Sequence, residues 1–120
     1  MKIAVASQGQ NLESMVDPRF GRAQCFIIYD TEADSFEVVD NKQNLQAAQG
    51  AGVQAAQKVV EQRPDYAVAG NFGPKAFMVL KGANIKPITW ADGTVAEAIK
   101  QIKENKLTPV DGPNVEGHWI

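Results

Sequence analysis

Near the N-terminus, Lys2-Ile3-Ala4-Val5-Ala6 alternates the larger Ile3 and Val5 with the small Ala4 and Ala6. The pattern predicts a strand that is apolar on both faces. Such a strand belongs in the middle of a sheet, covered by other layers above and below. This requirement points to a layered α/β domain. The 120 residues are the length of one domain, and a chain of this size buries roughly two-thirds of its unfolded surface, enough for a real core.

The rest of the chain supplies the layers. Residues Gln8–Gln24 read as a long polar loop containing Asp17-Pro18. Cys25–Tyr29 is a second apolar strand, Asp30–Asp34 a polar turn, and Phe36–Asp40 a strand alternating as a half-buried one does. These three strands predict an antiparallel meander. Beyond residue 50 the period changes. Val53, Ala56 and Val60 recur at helical spacing, with Val59 alongside, until Pro64 stops the helix. Tyr66–Ala69 is a short apolar strand. Pro74 suits the first turn of a helix with Phe77 and Leu80 on its face and Gly82 at its end. Ile85–Trp90 is a strand holding Pro87, which cannot donate to a ladder and so belongs on an edge. Thr94-Val95-Ala96-Glu97 is a capping box, and Val95, Ala98, Ile99 and Ile102 form a helical stripe behind it. Leu107–Ile120 shows no period. The expected division is a domain over 1–106 and a C-terminal tail over 107–120.

The predicted order is βββαβαβα. Crossover helices make the last two strands parallel to the first. The simplest sheet is then five-stranded and mixed, in spatial order 3-2-1-4-5, with the Phe36 and Pro87 strands at its two edges. This resembles the ribonuclease-H-like arrangement.

That topology brings four glycine-bearing stretches to one end of the sheet: Ser7–Gly9, Arg19-Phe20-Gly21-Arg22, Gly50-Ala51-Gly52 and Gly70-Asn71-Phe72-Gly73-Pro74. Open α/β sheets bind ligands outside the carboxyl ends of their parallel strands, at the switch point, here beside Ser7 and Gly70. Two helix N-termini would face the hollow with unpaired N–H groups. Arg19 and Arg22 add forked donors and fixed positive charge, and Lys75 sits in a first helical turn against the usual dipole preference. The expected guest is an anion. Each feature alone has a plainer reading: glycines that shape turns, solvated arginines, Asp17 as a turn former before Pro18, Cys25 as a small core residue rather than a metal ligand.

Several chemistries do not fit. The net charge of −2 gives no nucleic-acid footprint. No apolar run approaches the length of a membrane span, the first residues read as a strand rather than a signal peptide, and a single cysteine excludes an internal disulfide framework. The chain reads as cytoplasmic. The first strand lacks the carboxylates of a two-metal nuclease. Ser7 has no evident base, His118 being the sole histidine. There is no P-loop, and one Cys plus one His is too few for a zinc site. No enzymatic activity is expected.

Met1–Ser7, Leu12-Glu13-Ser14, Asp17-Pro18-Arg19-Phe20-Gly21-Arg22-Ala23, Gly50-Ala51-Gly52, Gly73-Pro74-Lys75-Ala76-Phe77, Thr94–Ile99 and Gly117-His118-Trp119 together resemble the dinitrogenase iron–molybdenum cofactor-binding family, of the NifX and NifB C-terminal type. The likeness spans nearly the whole chain in order, and Arg-Phe-Gly-Arg-Ala with Gly-Ala-Gly is its most specific part. It implies a ribonuclease-H-like fold and non-covalent carriage of an anionic metal–sulfur cluster. Of the family's subgroups, the chain looks similar to the stand-alone proteins that include the orange protein of sulfate reducers. The implied guest is a molybdenum–copper sulfide or iron–molybdenum–sulfur cluster, and MinD-type P-loop ATPases are the implied protein partners. Carried over, the site comprises Ser7, Arg19, Phe20, Gly21, Arg22, Gly50, Ala51, Gly52, Gly70, Asn71, Phe72, Gly73 and Pro74. Many relatives place a histidine before Gly-Ala-Gly where this chain has Gln49, which weakens any proposal of histidine coordination there. A cluster already saturated by sulfide needs charge, N–H donors and apolar walls more than thiolates. Phe20, Phe72 and Met78 are candidate walls, Met78 fitting a core position better. Two other readings stay open: a regulatory module docking on an ATPase, and a small enzyme or phosphate-ligand binder.

Overall fold

The computed structural model describes residues 1–42 and 50–113. Gln49, Gly117, His118 and Trp119, weighed above, lie outside the described residues. The elements are β1 (Lys2–Ser7), β2 (Cys25–Asp30), β3 (Ser35–Asp40), α1 (Ala51–Glu61), β4 (Tyr66–Ala69), α2 (Pro74–Gly82), β5 (Lys86–Thr89) and α3 (Val95–Lys103). They form a five-stranded sheet in the order β3-β2-β1-β4-β5. β1 and β2 pair antiparallel, as do β2 and β3, while β4 runs parallel to β1 and β5 to β4. This is the ribonuclease-H-like α/β arrangement.

The alternation in β1 sets the two layers. Ala4 and Ala6 face one way and pack, with Phe26, Ile28, Ala67 and Ala69, against Ala55, Ala56 and Val59 of α1 and Ala76 and Leu80 of α2. Their small side chains let two helices come close to the sheet. Ile3 and Val5 face the other way, with Ile27, Tyr29, Val68 and Ile88, and pack against Val95, Ala98, Ile99 and Ile102 of α3. Pro87 lies on an edge strand as expected, and its carbonyl accepts a hydrogen bond from the N–H of Val110 (2.8 Å). The start of the tail therefore lies along β5, and Leu107 packs on the α3-side core.

Helix α2 ends at Gly82 as expected, and the chain reverses at Asn84 (φ 62°), where the asparagine tolerates the left-handed conformation. Local expectations needed revision at two places. Met78 is no core residue: it stands 71% exposed on α2. The segment between β1 and β2 is not simply polar loop, because Val16, Phe20 and Ala23 are buried in it and isolated bridges pair Ser7 with Val16, Met15 with Thr94 and Arg19 with Asn71.

Candidate functional site

β1, β4 and β5 all end at one rim of the sheet, and so does β3, which is antiparallel to β2. The segment 17–22 is fastened across this rim by its backbone. Asp17 N–H donates to the Ala6 carbonyl (2.8 Å) and Phe20 N–H to the Asn71 carbonyl (3.2 Å), while Gly70 N–H donates to the Asp17 carbonyl (3.2 Å). Asn71 Nδ2 adds a bond to the Pro18 carbonyl (2.9 Å). Buried Asn41, just past β3, donates from Nδ2 to the carbonyls of Ala23 (2.8 Å) and Gly21 (3.4 Å). The rim is thus one connected piece of backbone, drawn from four separate stretches of chain.

Contact between loops is close enough to demand glycine at two points. A Cβ on Gly21 would lie 2.9 Å from the Cα of Gly52, and one on Gly70 would lie 2.7 Å from the Cα of Pro18. Both distances are backbone clashes that no side-chain rotation relieves. Gly21 therefore presses the arginine loop onto the start of α1, and Gly70 lets the end of β4 meet the same loop.

The predicted residues divide by burial. Arg19 and Gly50 are exposed; Arg22, Gly70, Asn71 and Pro74 are half-buried; Ser7, Phe20, Gly21, Ala51, Gly52, Phe72 and Gly73 are buried. Phe20 and Phe72 are completely enclosed, and the Phe20 ring packs, tilted, against Phe72 (centroids 5.0 Å apart) and Phe26 (5.1 Å). They anchor the two loops in the α1–α2 core. Ser7 donates its hydroxyl proton to the Gly9 carbonyl (2.6 Å), closing the turn after β1.

The electrostatics of the rim are positive. α1 and α2 begin there at Gly50 (φ 80°) and Gly73, neither helix has a side-chain cap, and neither has an acidic residue in its first turn. α3, on the opposite face, is closed by a complete Thr94–Glu97 capping box. Arg19, Arg22, Lys42 and Lys75 lie on the segments that form the rim. Against them stand Asp40, at the end of β3, and Asp17, whose carboxyl is pushed above its ordinary range by burial, opposed by a hydrogen bond from the Arg19 N–H (2.8 Å) and by the Arg19 charge. The role of Asp17 is to fix the backbone that presents Arg19. Asn41 and Lys42 were not singled out in the sequence. The signal available was topological: β3 ends at the same rim, so the polar Asp40-Asn41-Lys42 had to lie there.

The donor set suits an anion rather than a bare metal ion. Among the described residues no group of three or more His, Cys, Asp or Glu is placed to hold a metal ion. Cys25 is buried at the root of β2, its thiol lies 3.1 Å from the Gly9 carbonyl, and burial, with the charge of Asp40, pushes its ionisation up. A protonated, enclosed thiol is a poor ligand. No described helix is long and apolar enough to cross a membrane.

Comparison with known proteins agrees with this architecture. The family model for dinitrogenase iron-molybdenum cofactor proteins matches residues 1–105. The apo form of the orange protein from Desulfovibrio gigas is similar at 36% identity, with a TM-score of 0.92, covering 95% of this chain and 96% of that one. A Thermotoga protein provisionally designated NifB is 40% identical, with a TM-score of 0.83 over 97% of this chain and 98% of its own. A Methanocaldococcus jannaschii protein with a provisional dinitrogenase designation shares the fold at 16% identity, with a TM-score of 0.72 over 94% of this chain and 97% of its own. No curated protein matched.

Proposed function

The chain belongs to the dinitrogenase iron-molybdenum cofactor family, and on that premise we propose that it holds a preassembled anionic metal–sulfur cluster non-covalently at the rim described above. The cluster is cargo: it is bound and released, not transformed. The proposed guest contains molybdenum, as a molybdenum–copper sulfide or an iron–molybdenum–sulfur cluster, a reading supported by the 36% identity to the orange protein.

The observation that carries the proposal is the pairing of two uncapped helix N-termini with Arg19 and Arg22 on one backbone-linked rim. A helix N-terminus offers N–H donors and about half a unit of positive charge. Guanidinium groups add forked donors to the same anion. A sulfide-coated cluster presents acceptors and negative charge on its surface, so these groups satisfy it without displacing any sulfide. Arg19, Arg22, Gly50, Gly70, Asn71 and Pro74 are the groups proposed to face the guest, with Lys42 and Lys75 adding charge. Ser7, Phe20, Gly21, Ala51, Gly52, Phe72 and Gly73 are proposed to hold the loops in place.

Titration of the purified protein with tetrathiomolybdate and copper(I), followed by visible absorption and by metal co-eluting with protein, tests this. The wild type is expected to retain a coloured species. Arg19→Ala with Arg22→Ala is expected to weaken retention roughly tenfold or more, given about 1.5–3 kcal/mol for a hydrogen bond to a charged group. Unchanged retention in the double variant contradicts the site.

A further inference from the structure

The two faces of the sheet are covered unequally. α1 and α2 lie on the Ala4–Ala6 face, whereas α3 is the helix on the Ile3–Val5 face among the described residues. α3 sits against β1, and Ile27 and Tyr29 of β2 are buried in the core beside it, whereas β3 is exposed along almost its whole length. Tyr29 pairs with Phe36 and Ile27 with Val38 across the β2–β3 ladder. Directly opposed residues point to the same face, so Phe36 and Val38 extend the α3-side surface outward. They are 38% and 39% exposed, on a strand with one neighbour among the described residues. Between α3 and Tyr29 runs a groove of about 370 Å³ whose apolar wall is Leu12, Tyr29, Ala96 and Ile99.

Charge at this groove is predominantly positive. Lys100, Lys103 and Glu104 line it, with Lys103 Nζ 5.7 Å from the centroid of the Tyr29 ring. The acidic groups nearby are already engaged: Glu97 in the capping box, Glu104 with Lys106 at 3.1 Å, and Asp34 with the Tyr29 hydroxyl. Neither Lys100 nor Lys103 forms an ion pair among the described residues. An apolar channel beside a helix, bordered by unpaired lysines, suits a second helix with an apolar stripe and an acidic flank.

We propose that this half-face is the seat of an amphipathic, acidic helix from a partner protein. Its apolar stripe lies over Phe36, Val38 and Ala96, and its carboxylates meet Lys100 and Lys103. The seat is on the face opposite α1 and α2, so a partner can engage it while the rim is filled or empty. It is independent of the cluster reading.

The test uses the full chain, labelled for amide NMR, and two synthetic helices of about sixteen residues, long enough for marginal helicity. Both carry leucines at helical spacing; one has glutamates on its flank and the other lysines. The glutamate peptide is expected to shift the amides of Tyr29, Phe36, Val38 and Ile99, and to bind at least tenfold more tightly than the lysine peptide. Lys100→Gln with Lys103→Gln is expected to weaken it by about three- to tenfold, the range for partly exposed charge pairs. Val38→Thr, which keeps a β-branched side chain on the exposed strand, is expected to weaken it while leaving the thermal midpoint close to wild type. Equal affinity for the two peptides overturns the proposal, as do shifts confined to Arg19–Arg22. Concentration-dependent shifts at Phe36 and Val38 without peptide would assign the face to a second copy of the chain and equally overturn it.

Discussion

Phe20 lies between two arginines of the rim, yet its ring is entirely enclosed between Phe26 and Phe72. Sequence alone pointed to an aromatic in a polar loop as a wall for a ligand. The structure makes it the anchor of that loop, because a free phenyl ring gains more from core burial than from partial exposure. Its neighbour Gly21 is the tighter constraint. Gly21→Ala puts a methyl against Gly52 backbone at 2.9 Å, so the variant should lose about 1–3 kcal/mol in urea unfolding, the usual cost of forced overpacking. Asp17 offers a test by pH. Its folded-state ionisation lies above the ordinary value of 3.8 because burial disfavours the charge. Below that value both folded and unfolded chains are protonated and the residue is neutral to stability. As pH rises through 3.8 toward the folded-state value, the unfolded chain releases its proton first, so stability falls and stays lower above that window. Asp17→Asn keeps an oxygen acceptor for the Arg19 N–H. Its urea midpoint should match wild type in acid and gain on it as pH rises through this window; a gap independent of pH would contradict the assignment.

At the scale of elements, most of the fold was legible. The two-sided apolarity of β1, the Pro87 edge strand and the Thr94–Glu97 box each follow from local rules, and the structure keeps all three. The segment from Gln8 to Gln24 was not legible, because its order comes from bonds to distant residues: Ala6, Asn71, Gly93 and Asn41. No periodicity marks such a segment. The helix N-termini differ: α3 is closed by a side-chain capping box, whereas α1 and α2 have no side-chain cap among the described residues. Thr94→Ala should cost about 1 kcal/mol of stability by thermal or urea unfolding, as loss of a threonine cap does. Glu97 ionises below its ordinary value of 4.5 because the Thr94 backbone N–H and hydroxyl bond to its carboxylate. Its contribution is therefore present above 4.5 and lost as pH falls through the lowered value. The Thr94→Ala variant should show a shallower loss of stability on that acid limb than wild type does.

Across the whole molecule, topology located the proposed site before any side chain did. The order 3-2-1-4-5 sends the ends of β1, β3 and β4 and the starts of α1 and α2 to one rim, and that much was readable from strand and helix periods. Which residues face outward there was not, since seven of the thirteen residues carried over from the family pattern are buried. Burial depends on how loops pack on one another, as Gly21 on Gly52 and Gly70 on Pro18. The central claim is that this rim, and not another surface, receives the anionic cluster. Amide NMR of the labelled chain during titration with the copper–thiomolybdate species tests it most directly. The account predicts that the largest shifts fall on Arg19–Arg22, Gly50–Gly52 and Asn71–Lys75, with the α3 face unmoved. Largest shifts at Ile99–Lys103, or scattered evenly over the sheet, would contradict it.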